Sequence, residues 1–224
     1  MPLAVLVIYS VLLYAAWTVY HFFILEHIEN IPNDLLSSLL NDAVCKNLIW
    51  TLPAALLIHK YSKELEISPK EMFKWEKGYE KYLLIFPAFA AYIIFGMLVR
   101  RQPIELSIGI KDIVTVLFVG VTEELVFRAW LLNATAVYAA PPKNKDDTPW
   151  QQYAVIGINA VMFLAIHFPR WINEGVFFTN IASLGFMSIL ILSVIFSLLL
   201  LKTKNILLPI TLHMFWDLLI FLLY

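Results

Sequence analysis

The chain has 224 residues, 61% of them hydrophobic and 15% charged, with a mean hydropathy of +0.77. That apolar share lies well above that of a soluble domain and marks an integral membrane protein. A net charge of −1 without a long basic block excludes nucleic acid as a partner, and a single cysteine, Cys45, excludes an internal disulfide.

Runs long enough to cross about 30 Å of hydrocarbon, at roughly 20 residues each, fall at Leu3–Leu25, Leu39–Ile58, Leu83–Val99, Ile113–Tyr138, Tyr153–Phe168, Val176–Leu201 and Ile206–Tyr224. Asp42, Lys46 and Asn47 interrupt the second run, and the fifth is short. The expected fold is therefore all-α, a polytopic transmembrane helical bundle of about seven helices, with six to eight as the range. The first run has neither a basic flank nor a small-residue cleavage site and is expected to remain as a helix. With seven glycines, no internal repeat and no low-complexity linker, residues 1–224 read as a single membrane domain.

Two loops carry local signals. Ser68-Pro69-Lys70-Glu71 is a capping box with proline at the first helical position. Met72, Trp75, Tyr79 and Tyr82 follow at spacings of three and four, which predicts a short amphipathic helix on the membrane surface. Pro141–Trp150 is a polar breaker between the fourth and fifth helices. In the seven-helix reading, ten Lys and Arg residues fall on the side of the N-terminus and five on the other. That bias places the N-terminus in the cytoplasm and the protein as a multi-pass component of the cell membrane.

Charged residues inside the apolar runs point to function, since each costs about 2.5 to 3.5 kcal/mol at mid-bilayer on insertion scales. Glu124 and Arg128 lie four apart on one helical face and are expected to pair, while Glu123 points about 100° away and stays free. In the fifth run Asn159, Phe163 and His167 form a stripe at intervals of four; in the last, His213 and Asp217 do the same. His21, His27 and His59 lie near segment ends, where an interfacial position accounts for them. A buried carboxylate near imidazoles can serve as a base for water, and an imidazole N–H can stabilise the oxyanion formed at a peptide carbonyl. On this reading Glu123 is the base and His167 orients the water or protonates the leaving amine. His213 donates to the oxyanion, and Asp217 holds the tautomer of His213.

Glu123-Glu124-Leu-Val-Phe-Arg128 resembles an EExxxR motif, Phe163-Leu-Ala-Ile-His167 an FxxxH motif, and His213-Met-Phe-Trp-Asp217 an HxxxN/D motif. Their order within 113–224 is similar to that of the CAAX-protease and bacteriocin-processing (CPBP, or Abi) family of glutamate-type intramembrane endopeptidases, which includes the type II CAAX prenyl proteases. The resemblance implies Glu123, His167, His213 and Asp217 as catalytic residues, while Glu124, Arg128, Phe163 and Asn159, from their places on the helical stripes, are expected in supporting roles. It also implies a membrane-associated protein or peptide as substrate and no cofactor. Aspartate at 217, where the prenyl-protein protease branch has asparagine, departs from that branch. Three alternatives remain open at this stage: a zinc peptidase using Glu123, His167 and His213 as ligands, a proton-coupled carrier, and an immunity protein that acts by binding.

Overall fold

The computed structural model describes residues 1–101, 106–139 and 150–223. In hydrocarbon every backbone polar group must find a partner inside its own segment, so the apolar runs fold as helices. α1 is Leu3–Phe23. α2 is continuous from Asp34–Ser38 through the π-helical stretches Leu39–Cys45 and Asn47–Thr51 to Leu52–Lys60. α3 opens as a 3₁₀ stretch, Tyr79–Leu84, and runs on as Ile85–Arg100. α4 joins Ile110–Glu124, the π-helical Leu125–Leu132 and Asn133–Ala139. α5 is Trp150–Ala165, α6 Phe186–Thr203 and α7 Leu207–Leu223. Among the described residues there is no strand.

Leu3–Phe23, Tyr79–Val99, Gln151–Asn173 and Phe186–Thr203 are each long and apolar enough to cross a membrane, and Leu207–Leu223 is a shorter apolar helix. Exposed Val7, Val11 and Leu12 on α1 and Tyr92, Phe95 and Leu98 on α3 present an apolar outer surface suited to lipid. Together these features identify an integral membrane protein.

Contacts at the two ends of the bundle show that successive helices alternate in direction. At one end the amino group of Met1 pairs with Glu64, the Tyr138 hydroxyl donates to the Met1 carbonyl, and the Tyr79 hydroxyl donates to the Thr203 carbonyl. At the other end Lys111 pairs with Asp34 at 2.9 Å, and the Ser107 N–H donates to the Leu222 carbonyl at 3.4 Å. Within the bundle α4 lies along α7, and α5 along α6.

Several local expectations need correction. The polar residues of α2 do not interrupt it: Ser38, Asp42, Lys46, Trp50 and Ala54 are all buried at intervals of four, forming an inward stripe, while Val44, Leu48, Leu52 and Leu56 face outward. The capping box at Ser68 forms, but its helix is only the turn Pro69–Met72 and no longer surface helix follows. The backbone there is captured by the start of α7, where Ile206 N–H donates to the Met72 carbonyl at 2.8 Å and the Asn205 amide to the Lys74 carbonyl at 2.8 Å. The fifth run continues past a break at Ile166 and His167 into Phe168–Asn173, because Pro169 has no N–H with which to extend α5. The sixth run is two helices, Phe177–Ala182 and Phe186–Thr203, separated by a turn in which Leu184 adopts φ +60°. Residues 141–149 of the polar breaker lie outside the described residues.

Candidate active site

Glu124 is fully buried between α4 and α7. Its Oε1 accepts from Arg128 Nη1 at 3.1 Å, one turn along the same helix, and contacts His213 Nδ1 of α7 at 2.8 Å. Arg128 Nη2 donates to Ser193 Oγ of α6 at 2.8 Å, and its guanidinium lies 4.3 Å from the centre of the Phe163 ring and 5.4 Å from that of Phe196. The phenylalanine of the FxxxH stripe thus forms a face for the buried cation. Phe196 also stacks on His213 with ring centres 5.1 Å apart, which fixes the imidazole plane.

Gly120, one turn before Glu124, allows this junction. A Cβ at 120 would lie 2.7 Å from Met214 Cγ and 3.2 Å from Met214 N, so only glycine lets α4 approach α7 closely enough for Glu124 to reach His213.

Glu123 projects to the other side, into a cavity of about 620 Å³ whose wall also includes His167, His213 and Asp217. Glu123 Oε2 is 3.9 Å from His213 Nε2, and Asp217 Oδ2 is 3.6 Å from that same nitrogen. His167 Nδ1 is 2.8 Å from the Phe163 carbonyl. A carbonyl only accepts, so Nδ1 carries a hydrogen, which in the neutral ring leaves Nε2 its lone pair. Asn159 lies behind the site. It donates to the Phe127 carbonyl at 2.7 Å and accepts from Ser197 Oγ at 3.3 Å, tying the π-helical part of α4 to α5 and α6.

The three sequence stripes therefore converge, but their internal pairings differ from expectation. Glu123 is not free: Lys46 Nζ of α2 lies 3.5 Å from its Oε1. Glu124 is shared between Arg128 and His213 instead of belonging to Arg128 alone. Asp217 does not hold the tautomer of His213, because its separation exceeds a hydrogen bond and Nδ1 is occupied by Glu124. His27 and His59 are exposed near helix ends, whereas His21 is 4% exposed on the cavity wall. It packs edge-on against Trp17 at 4.4 Å, and neither nitrogen has a hydrogen-bond partner among the described residues.

Among the described residues no three His, Cys, Asp or Glu side chains are grouped to hold a metal ion. The contact between Glu124 and His213 occupies Nδ1 and leaves Nε2 beside Glu123 and Asp217.

If the close approach at Gly120 sets the site, Gly120→Val should separate α4 from α7 and lower both stability and activity. Overpacking of this kind costs about 1 to 3 kcal/mol. Thermal unfolding in detergent and peptide cleavage are the readouts, and unchanged values for both would contradict the packing account.

Residues 110–219 match the family model described as type II CAAX prenyl endopeptidase Rce1-like. No curated protein and no solved structure matches the chain. The matched stretch runs from the start of α4 into α7 and contains Glu123, Glu124, Arg128, Phe163, His167, His213 and Asp217. The chain accordingly belongs to the family of CAAX-type intramembrane endopeptidases, peptide hydrolases that act on membrane-associated substrates.

Proposed function

We propose that the protein hydrolyses a peptide bond with a water activated by Glu123. The observation that carries this reading is the contrast between two adjacent carboxylates: Glu124 is sealed between Arg128 and His213, and Glu123 lines the cavity beside His213. The Nε2 lone pair of His167 and the Glu123 carboxylate are two acceptors that can hold the two hydrogens of one water. Glu123 takes a proton as the water oxygen adds to the peptide carbonyl, and the carbonyl electron pair moves onto its oxygen. When the C–N bond breaks, that proton passes to the leaving amine, directly or through His167.

A string of ion contacts runs from Lys46 through Glu123, His213 and Glu124 to Arg128, with Asp217 beside His213. This string holds three carboxylates and two cations, and a protonated His213 brings it into balance. As an imidazolium it donates Nδ1–H to Glu124 and has Nε2–H for the oxyanion, the preorganised donor that acyl transfer requires. Asp217 then contributes negative charge beside that donor. No step of this reading needs a metal.

The reading extends to topology and substrate. The cavity wall continues to Lys111, Asp112 and Arg170, at the end of the bundle opposite the Met1–Glu64 pair. That end carries fewer Lys and Arg, so in a cell membrane the site opens away from the cytoplasm. Ser37, Ser38, Asn41 and Asp42 make the approach polar, which suits a hydrophilic peptide stretch of an exported or membrane-anchored protein better than a prenyl chain. Because α1 and α2 wall this cavity, residues 1–224 act as one membrane domain.

Glu123→Gln should abolish cleavage in purified enzyme that remains folded, and native enzyme should retain its rate after exhaustive chelation. Residual cleavage by folded Glu123→Gln would remove the base from this account. Stoichiometric zinc lost and regained together with activity would favour the metal mechanism. For topology, single cysteines at Glu66 and Asn173 in a Cys45→Ser background can be labelled on intact cells with an impermeant thiol reagent. Labelling at 173 alone is expected; labelling at 66 alone would turn the site toward the cytoplasm.

A further inference from the structure

Lys46 lies on α2, outside the stretch 110–219 that carries the family match. Its side chain is buried, and its Nζ lies 3.5 Å from Glu123 Oε1. The ammonium also sits 5.7 Å from the Trp17 ring centre and 5.5 Å from that of Trp50, rings that meet edge to face at 4.7 Å. Trp17 Nε1–H donates to the Ile166 carbonyl at 3.1 Å, beside His167, so this aromatic wall is tied to the catalytic side of the cavity. Lys46 occupies the joint between two π-helical stretches of α2, a backbone form that recurs at functional sites.

Another carboxylate stands on the same inward stripe, one turn earlier. Asp42, however, is already engaged: Oδ1 accepts from Asn41 Nδ2 at 3.1 Å and Oδ2 from Thr115 Oγ1 at 2.7 Å. Among the described residues, the carboxylate within salt-bridge distance of Lys46 is that of Glu123.

We infer that Lys46 is a positioning residue for the hydrolysis, its ammonium holding the Glu123 carboxylate charged and aimed into the cavity. The inference rests on the reading of Glu123 as the base. A carboxylate buried beside Asp217 and Glu124 gains from a cation on its far side, and a rigid aromatic pocket keeps that cation from swinging away. In the reaction the proton of water goes to Glu123, the O–C bond forms, and negative charge moves from the carboxylate to the oxyanion. Lys46 neither gains nor loses a proton, and its charge offsets the anion before and after this step. The base is thus assembled from two parts of the chain, α4 inside the family-matched stretch and α2 outside it.

The test uses the full chain in detergent with a reporter peptide that the native enzyme cleaves. It compares Lys46→Met, Glu123→Gln and the double variant, each checked for monodispersity and thermal unfolding. Misplacing a catalytic group costs on the order of 100-fold in rate, so Lys46→Met should lower kcat by about 10- to 100-fold and leave KM within about twofold. Each single variant leaves one buried charge unpaired and should melt lower than the double variant, which removes both charges. Native kcat in folded Lys46→Met would overturn the inference and leave Glu123 untouched. So would a raised KM with kcat held, which would mean that Lys46 meets the substrate instead. Should Lys46→Met fail to fold, recovery of folding in the double variant supports the pairing, and failure of both overturns it. Full activity in Glu123→Gln would instead sink the reading of the base itself.

Discussion

The site depends on one buried carboxylate oxygen, Oε1 of Glu124, which binds both Arg128 and His213. Arg128 and Glu124 have no exposure, and at such depth each charge is tolerated only through its partners. Breaking such a pair by removing one member costs about 3 to 5 kcal/mol, a large share of a domain's stability. The neighbouring features follow from keeping this oxygen supplied. Phe163 and Phe196 cover the guanidinium, Ser193 takes its second nitrogen, and Gly120 brings α7 within reach. With Glu124 and His213 fixed in this way, the adjacent Glu123 is turned to the cavity.

The N-terminal helices complete the site instead of only surrounding it. Tyr14 of α1 hydrogen-bonds the Met162 carbonyl, and Trp17 hydrogen-bonds that of Ile166, so α1 is pinned to the end of α5 from which His167 projects. α2 contributes Lys46 and Asp42 to the cavity wall from its inward stripe. At the far end of the bundle Asn133 accepts from the Ile67 N–H at 2.7 Å and donates to the Ile67 carbonyl at 2.8 Å, anchoring the loop after α2 to α4.

Much of this could be read from residue spacing, because a helix turns intervals of four into neighbours. The Glu124–Arg128 pair, the stripe ending at His167 and the His213–Asp217 face all follow from that rule, and the apolar runs follow from length and hydropathy. Partnerships between helices did not follow, since a one-dimensional pattern carries no distance between α4 and α7 or between α2 and α4. Glu124 therefore looked satisfied by Arg128 alone, and Lys46 looked like an interruption of a weak span. The same spacing held a usable signal: Ser38, Asp42, Lys46, Trp50 and Ala54 recur at four, and an ionisable residue on such a stripe in a membrane helix is a candidate site group. His21 reads as interfacial because it lies close to the end of its run, although its turn of α1 packs inward. The π-helical stretches leave no mark in composition and come from packing.

The central claim is that Glu123 moves a proton and forms no bond to the substrate. Cleavage of the reporter peptide in ¹⁸O-labelled water over many turnovers, followed by mass analysis of the product and of the enzyme peptide containing Glu123, tests it most directly. Water activation predicts one ¹⁸O atom in the new carboxylate and none in Glu123. Appearance of ¹⁸O in Glu123 would show that its carboxylate attacks the carbonyl through an anhydride and would contradict the account.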